Sequence, residues 1–252
     1  MIEAIIWAVV VIQIQGFVYS IYVHRYKCHQ LISLHPVFEH FCLLLIWLTS
    51  PQLSSPYWIR KSAARHLKHH HHADQEQDPH SPKFFKLLEI VSWNKSTTPG
   101  GCYYISDQDV HKYGKHVSLE QSKIAQHLYF KLPPYAGMVV SSVALAMLLG
   151  TWSILPMLMI WGLPITSGLL TIYLAHKFGY QNHKGENNAM NSWPLAVLQW
   201  GEELHNNHHH NHNAKQQKAN FASKWWELDL GYVTIWLLSL TKLVKARNVS
   251  TS

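Results

Sequence analysis

AIIWAVVVIQIQGFVYSIYVHRYKCH, residues Ala4 to His29, decides the fold. From Ala4 to Val23 it has 20 residues without a charge, about 30 Å of helix, which matches the hydrocarbon core of a bilayer. No basic residue precedes the run and no small-residue cleavage site follows it, so it reads as a retained span and not as a secretory signal. The span then runs straight into histidines.

A second uncharged region extends from Leu132 to Ala175. It is too long for one helix, and Gly150 with Thr151 offers a turn, so it reads as a hairpin of two spans, Pro134 to Gly150 and Ile154 to Ala175, the second kinked at Pro156 and Pro164. Val37 to Leu48 is short and carries Glu39 and His40, while Gly231 to Val244 ends on Lys242; both read as interfacial or re-entrant segments. The expected fold is an all-α integral membrane protein of one domain, residues 1–252. It has about three transmembrane helices (4–23, 134–150 and 154–175), re-entrant or interfacial helices, and a cytoplasmic helical cap formed by 24–131 and 176–252.

Charge placement supports this topology. The 21 Lys and Arg avoid everything before His24 and everything between Leu132 and Ala175. The positive-inside rule therefore puts all the histidine-bearing segments on the cytoplasmic side. The net charge of +7 reads as membrane orientation and attraction to anionic lipid, and no aromatic-basic pattern for nucleic acid is visible. Cys28, Cys42 and Cys102 cannot all pair and form no Cys-x-x-Cys, which fits a reducing compartment. Phosphate-binding loops and nucleophile elbows are missing from the sequence.

The histidines fall into three clusters: His24 and His29 in HRYKCH, His66, His69 and His70 in HLKHH, and His205, His208 and His209 in HNNHH. Imidazole is the commonest protein metal ligand. Positions i, i+3 and i+4 share a helix face, so each of the last two clusters can aim three rings at one target. His24 and His29, five apart, stand about 140° apart on an α-helix and suit two different ions. So many imidazoles exceed the coordination of one ion, and two metals is the economical count. Asp78, Glu202 and Glu203 are candidates to accept the free ring N–H of a ligand. His71 and His72 read as solvated neighbours, His80, His210 and His212 stay unassigned, and Trp58, Trp93, Trp200, Trp225 and Trp226 read as an interfacial belt or as walls of an acyl tunnel.

These clusters, in this order and separated by apolar spans, resemble the three histidine boxes of the membrane fatty acid desaturases. DPHSP (Asp78–Pro82) after the second box, GEE (Gly201–Glu203) before the third and KWWELDLGY (Lys224–Tyr232) near the end are similar to bacterial Δ9-type members. The resemblance implies a non-haem di-iron centre that uses dioxygen and two electrons to remove two hydrogens from an acyl chain. Its ligands would be His24, His29, His66, His69, His70, His205, His208 and His209, with His176 matching a ninth. The family often has asparagine four residues before that ninth histidine, where this chain has Ile172. No His-Pro-Gly-Gly haem signature is present, which implies a separate electron donor, a ferredoxin or a cytochrome with its reductase. The rival expectations are a histidine-box hydroxylase or oxidase and, from another class, a metal-binding membrane transporter.

Overall fold

The computed structural model describes residues 1–50, 56–92, 95–117, 131–133, 135–162, 168–185, 187–212, 216–247 and 249–250. Trp93, Pro134 and Pro164 lie outside the described residues.

Helix α1 (Ile2–Phe17) continues without a break into a π-helix, Val18–Cys28. This 27-residue run, Ile2–Cys28, is long and apolar enough to cross a membrane, and it extends through the first histidine of the first box. Its surface is inverted relative to a water-soluble helix. The small residues Ala4 and Ala8 are buried with Val11 and Gln15, whereas Ile2, Ile5, Ile6 and Val9 are exposed. Small residues inward and bulky apolar residues outward is the packing that lipid permits, because lipid gives no penalty for exposed Ile.

The run Ala136–Trp161 is likewise apolar and long enough to cross, but it is folded back on itself. Helix α4 (Ala136–Leu149) ends at Gly150, whose φ of 55° suits glycine, and a short tight turn (Gly150–Ser153) leads into α5 (Ile154–Trp161). Trp161 Nε1 donates to Ser142 Oγ at 3.2 Å and the Trp161 ring stacks on Tyr135 at 6.0 Å, contacts that only a hairpin allows. The turn therefore falls where Gly150 and Thr151 place it in the sequence. The second arm differs from a single helix over 154–175. After α5 and the residues outside the description it resumes as a π-turn, Gly168–Tyr173, tightening to Leu174–His176.

Helix α2 (Pro36–Thr49) begins with Pro36 in its first turn and His35 accepting from the Val37 amide. Glu39, which argues against burial in the sequence, is buried all the same because Lys27 Nζ lies 3.0 Å from its Oε1. At its other end α2 stops beside Gln15, about 20 Å of helix from Cys28. A helix end in an apolar bundle leaves carbonyls that water cannot reach. Here Gln15 Nε2 donates to Thr49 O (2.9 Å) and Met159 O (3.1 Å), and Ser141 Oγ donates to Leu48 O (2.8 Å). Gly137 allows the close approach, since an added Cβ would stand 2.1 Å from Trp47 O.

The remaining segments cap one end of this bundle. Helix α3 (Pro56–His72), the 3₁₀-terminated His176 segment and α6 (His205–His212) carry the other expected ligand histidines, and α7 (Leu230–Leu240) exposes Val233, Trp236, Leu237 and Leu240. Two short antiparallel pairs correct the all-α expectation: β1 (Ile32–Leu34) with β2 (Val244–Ala246), and Gln216–Gln217 with Val249–Ser250. The first pair arises because the chain leaving the first box is too short to re-form a helix before Pro36, and its backbone groups pair with the segment after α7.

Gln15→Leu should lower stability in detergent by about 1–3 kcal/mol for each carbonyl left unpaired, read as a drop in thermal midpoint, while Ile5→Leu on the outward face leaves the midpoint unchanged.

Candidate metal centre

The first box sits where the helix is π-helical. The His29 amide bonds to His24 O at 3.0 Å, an i→i+5 closure that stacks the two residues one above the other. This corrects the 140° expectation, which assumed α-helical pitch: His24 and His29 belong to one group. His24, His29, His66, His70 and His208 bring one nitrogen each within 4.8 Å of one another, and His69, His176, His205 and His209 do the same beside them. The second and third boxes are therefore split, each giving an i, i+4 pair to one group (His66 with His70, His205 with His209) and its remaining ring to the other. The expectation of three rings per target fails because i+3 and i+4 positions diverge in opposite senses around the helix.

Every converging atom is Nε2. In the first group the contacts are 2.9 Å (His24 to His66), 3.0 Å (His24 to His208), 2.8 Å (His29 to His66), 2.9 Å (His66 to His70) and 2.8 Å (His70 to His208). In the second they are 3.2 Å (His69 to His209), 3.0 Å (His176 to His205) and 3.2 Å (His205 to His209). Two imidazoles at right angles on an ion with metal–nitrogen bonds of about 2.0–2.1 Å stand about 2.9 Å apart.

At three of the nine rings a carboxylate stands at the opposite nitrogen and leaves Nε2 as the lone-pair end. His24 Nδ1 lies 2.5 Å from Glu202 Oε2, His69 Nδ1 2.8 Å from Asp78 Oδ2 and His176 Nδ1 3.4 Å from Asp74 Oδ2. A neutral imidazole whose Nδ1–H faces a carboxylate has only a lone pair at Nε2. Burial, and then the neighbouring imidazoles, drives His29, His66, His70, His205, His208 and His209 well below the ordinary histidine range, so these rings are neutral at pH 7. Lone pairs converging at such distances cannot all be satisfied by hydrogen bonds, and the donor set fits two metal ions.

Of the expected carboxylates, Asp78 and Glu202 reach ligand-candidate rings. Burial works to raise the Asp78 carboxyl, but His69 and His80 outweigh it and hold it at about 2. Asp78 Oδ1 also takes the His80 amide at 3.0 Å and lies 3.2 Å from His80 Nδ1, which places the unassigned His80 as a brace behind His69. Glu203 departs from expectation: it faces Thr171 and not an imidazole. Thr171 is five residues before His176 on the π-turn, so it takes the inward place that α-helical counting gives to Ile172; Ile172 packs on the Tyr103 cluster. His71 is exposed and His72 reaches Tyr113, while Trp200 packs against Phe17 and Trp225 is exposed.

The residues behind the ligands were harder to read. Arg25, fully buried, sends Nη2 to both oxygens of Asp229 (2.9 and 2.8 Å), Nη1 to Glu202 Oε1 (2.9 Å) and Nε to Ala219 O (3.0 Å), with its guanidinium 4.0 Å above the Phe221 ring. Asp229 in turn caps α7 through the Tyr232 amide. Gly201, at φ 91°, turns the chain under this group, where a Cβ would meet Asp229 at 2.2 Å. The asparagines of the third box pin α6: Asn206 accepts from the Asn182 and His183 amides, and Asn207 joins Asn182, Asn191 and Glu227. The sequence signal for Glu227 and Asp229 is the KWWELDLGY tail, whose two acids punctuate an apolar run.

A model of the family described as "Fatty acid desaturase" matches residues 4–236. The sn-1 stearoyl-lipid 9-desaturase of Anabaena variabilis is 28% identical over 229 residues, 87% of this chain and 74% of that protein. The enzyme of the same name from Synechocystis sp. is 30% identical over 189 residues, 71% of this chain and 52% of that protein, so the aligned part is about half of it. Delta-9 acyl-lipid desaturase 2 of Arabidopsis thaliana is 25% identical over 228 residues, 88% of this chain and 67% of that protein.

Two predictions test the geometry. Arg25→Lys keeps the charge and loses the fork, so it should cost about 3 kcal/mol or more by leaving buried carboxylates unpaired, measured by denaturation in detergent. Burial, reinforced by Glu202, raises the Glu203 carboxyl well above its usual range. The folded protein thus holds a proton there that the unfolded chain releases, and stability is lost as pH rises from the unfolded toward the folded pKa. Glu203→Gln removes that loss, so the variant's thermal midpoint should exceed the parent's by more at about pH 8 than at about pH 5.

Proposed function

Because the chain belongs to the fatty acid desaturase family, and so is an oxidoreductase, we propose that it inserts one cis double bond, at Δ9, into a long saturated acyl chain carried as acyl-lipid or acyl-CoA. The observation that carries this reading is the pair of adjacent histidine groups with all nine Nε2 lone pairs directed inward. We assign His24, His29, His66, His70 and His208 to one iron and His69, His176, His205 and His209 to the other. Bound there, two irons supply the oxidising power for an unactivated C–H bond, using dioxygen and electrons from a separate ferredoxin or cytochrome.

The protein's own part is positional. Glu202, Asp78 and Asp74 fix the tautomer and tilt of His24, His69 and His176, and Arg25 fixes Glu202. The apolar bundle supplies the side from which a chain with no polar handle can approach, and shape must then select the methylene pair. The Δ9 position rests on the relatives' names. In this reading the chain has about three spans, α2 is re-entrant, and the histidine end faces the cytoplasm as the Lys and Arg distribution favours.

Expression in a host lacking unsaturated lipids, followed by fatty acid profiling, should yield a Δ9 monounsaturated product, and His208→Ala should abolish it while the protein still accumulates in the membrane. A hydroxylated product without alkene, or full activity in the variant, overturns the proposal.

A further inference from the structure

Eight of the nine inward-pointing histidines are buried and His66 is half-buried, so an ion needs a path to them. A hydrated dication cannot come through the apolar bundle without a large desolvation cost. A polar cavity of about 370 Å³ adjoins the histidine end, and it touches both groups, through His70 of the first and His209 of the second. Around its walls stand four more imidazoles, His71, His183, His210 and His212, with no carboxylate among the described lining residues.

These four are graded in depth. His71 and His210 are exposed, and His183 lies flat on His210 with ring centroids 3.7 Å apart. His212, half-buried, has its ring 4.3 Å from His70, 5.1 Å from His29 and 6.2 Å from His71. A continuous series of rings thus leads from solvent to the first group. Imidazole suits borderline transition metals, whereas calcium and magnesium take oxygen ligands.

We propose that this cavity is the loading port of the centre, in which His71, His210 and His212 pass a divalent transition-metal ion inward by ligand exchange, with His212 handing it to His29 and His70. The proposal rests on the two-metal reading above. No redox step is involved: the ion exchanges water for imidazole and then one imidazole for another.

The test follows cobalt(II) uptake by the full chain in detergent after chelator stripping, reading the cobalt–imidazole absorption by stopped flow and bound cobalt after desalting. The parent protein should take up two ions per chain. The triple variant His71→Gln, His210→Gln, His212→Gln should reach the same two ions at a rate lower by about tenfold or more. His71→Gln alone, an exposed change that folding does not require, should slow uptake by about threefold and keeps the test valid if the triple variant does not fold. Unchanged uptake rates overturn the port. A triple variant that stops at one ion also overturns it, because His212 would then be a resident ligand. A parent protein that never binds two ions fails the two-metal reading itself, and the port with it.

Discussion

Lone pairs that point at one another repel, and nine of them set the requirements for the rest of this molecule. Each Nε2 is placed against at least one other at about the edge length of a metal coordination polyhedron. Such an arrangement is not self-supporting in a folded chain. It needs carboxylates at the far ring nitrogens, and those carboxylates need anchors of their own. Arg25 is the clearest anchor, since its guanidinium joins the first box, the turn before the third and the start of α7 in one buried group. Burying these carboxylates is tolerable because Arg25 answers both Glu202 and Asp229.

The apolar half of the protein obeys a different rule. Its outward faces carry Ile, Val, Leu, Met and Trp, and its inward contacts join small residues with Val11, Met138, Leu145 and Ile160 and a few amides and hydroxyls. Gln15 and Ser141 do for the carbonyls of α2 what solvent does at the end of an ordinary helix. Fold and site meet at the π-helix of Val18–Cys28, which belongs to both.

Much of this was legible in the sequence because it depends on local spacing. Uncharged runs mark the apolar helices, Gly150 marks the hairpin, and the apolar stretch Val37 to Leu48 marks the short helix α2. The histidine boxes are visible because i, i+3 and i+4 positions are neighbours. What escaped is non-local or depends on pitch. The division of each box between two groups follows from which neighbouring helix meets which side, and Asp74, Glu227 and Asp229 find their partners across long stretches of chain. Glu203 was misplaced because its neighbour Glu202 takes the place beside His24 and the next side chain along points the other way, toward Thr171.

An i→i+5 turn is an α-turn with one residue too many, held at some energetic disadvantage against ordinary pitch. In HRYKCH that surplus residue is what brings His29 back over His24. Wound at ordinary α pitch, the same five-residue interval would turn the second ring about 140° away from the first. The interval between these two histidines and the pitch of the turn between them are therefore matched: ordinary pitch suits a spacing of four, as in His66 and His70, and the wider turn suits five.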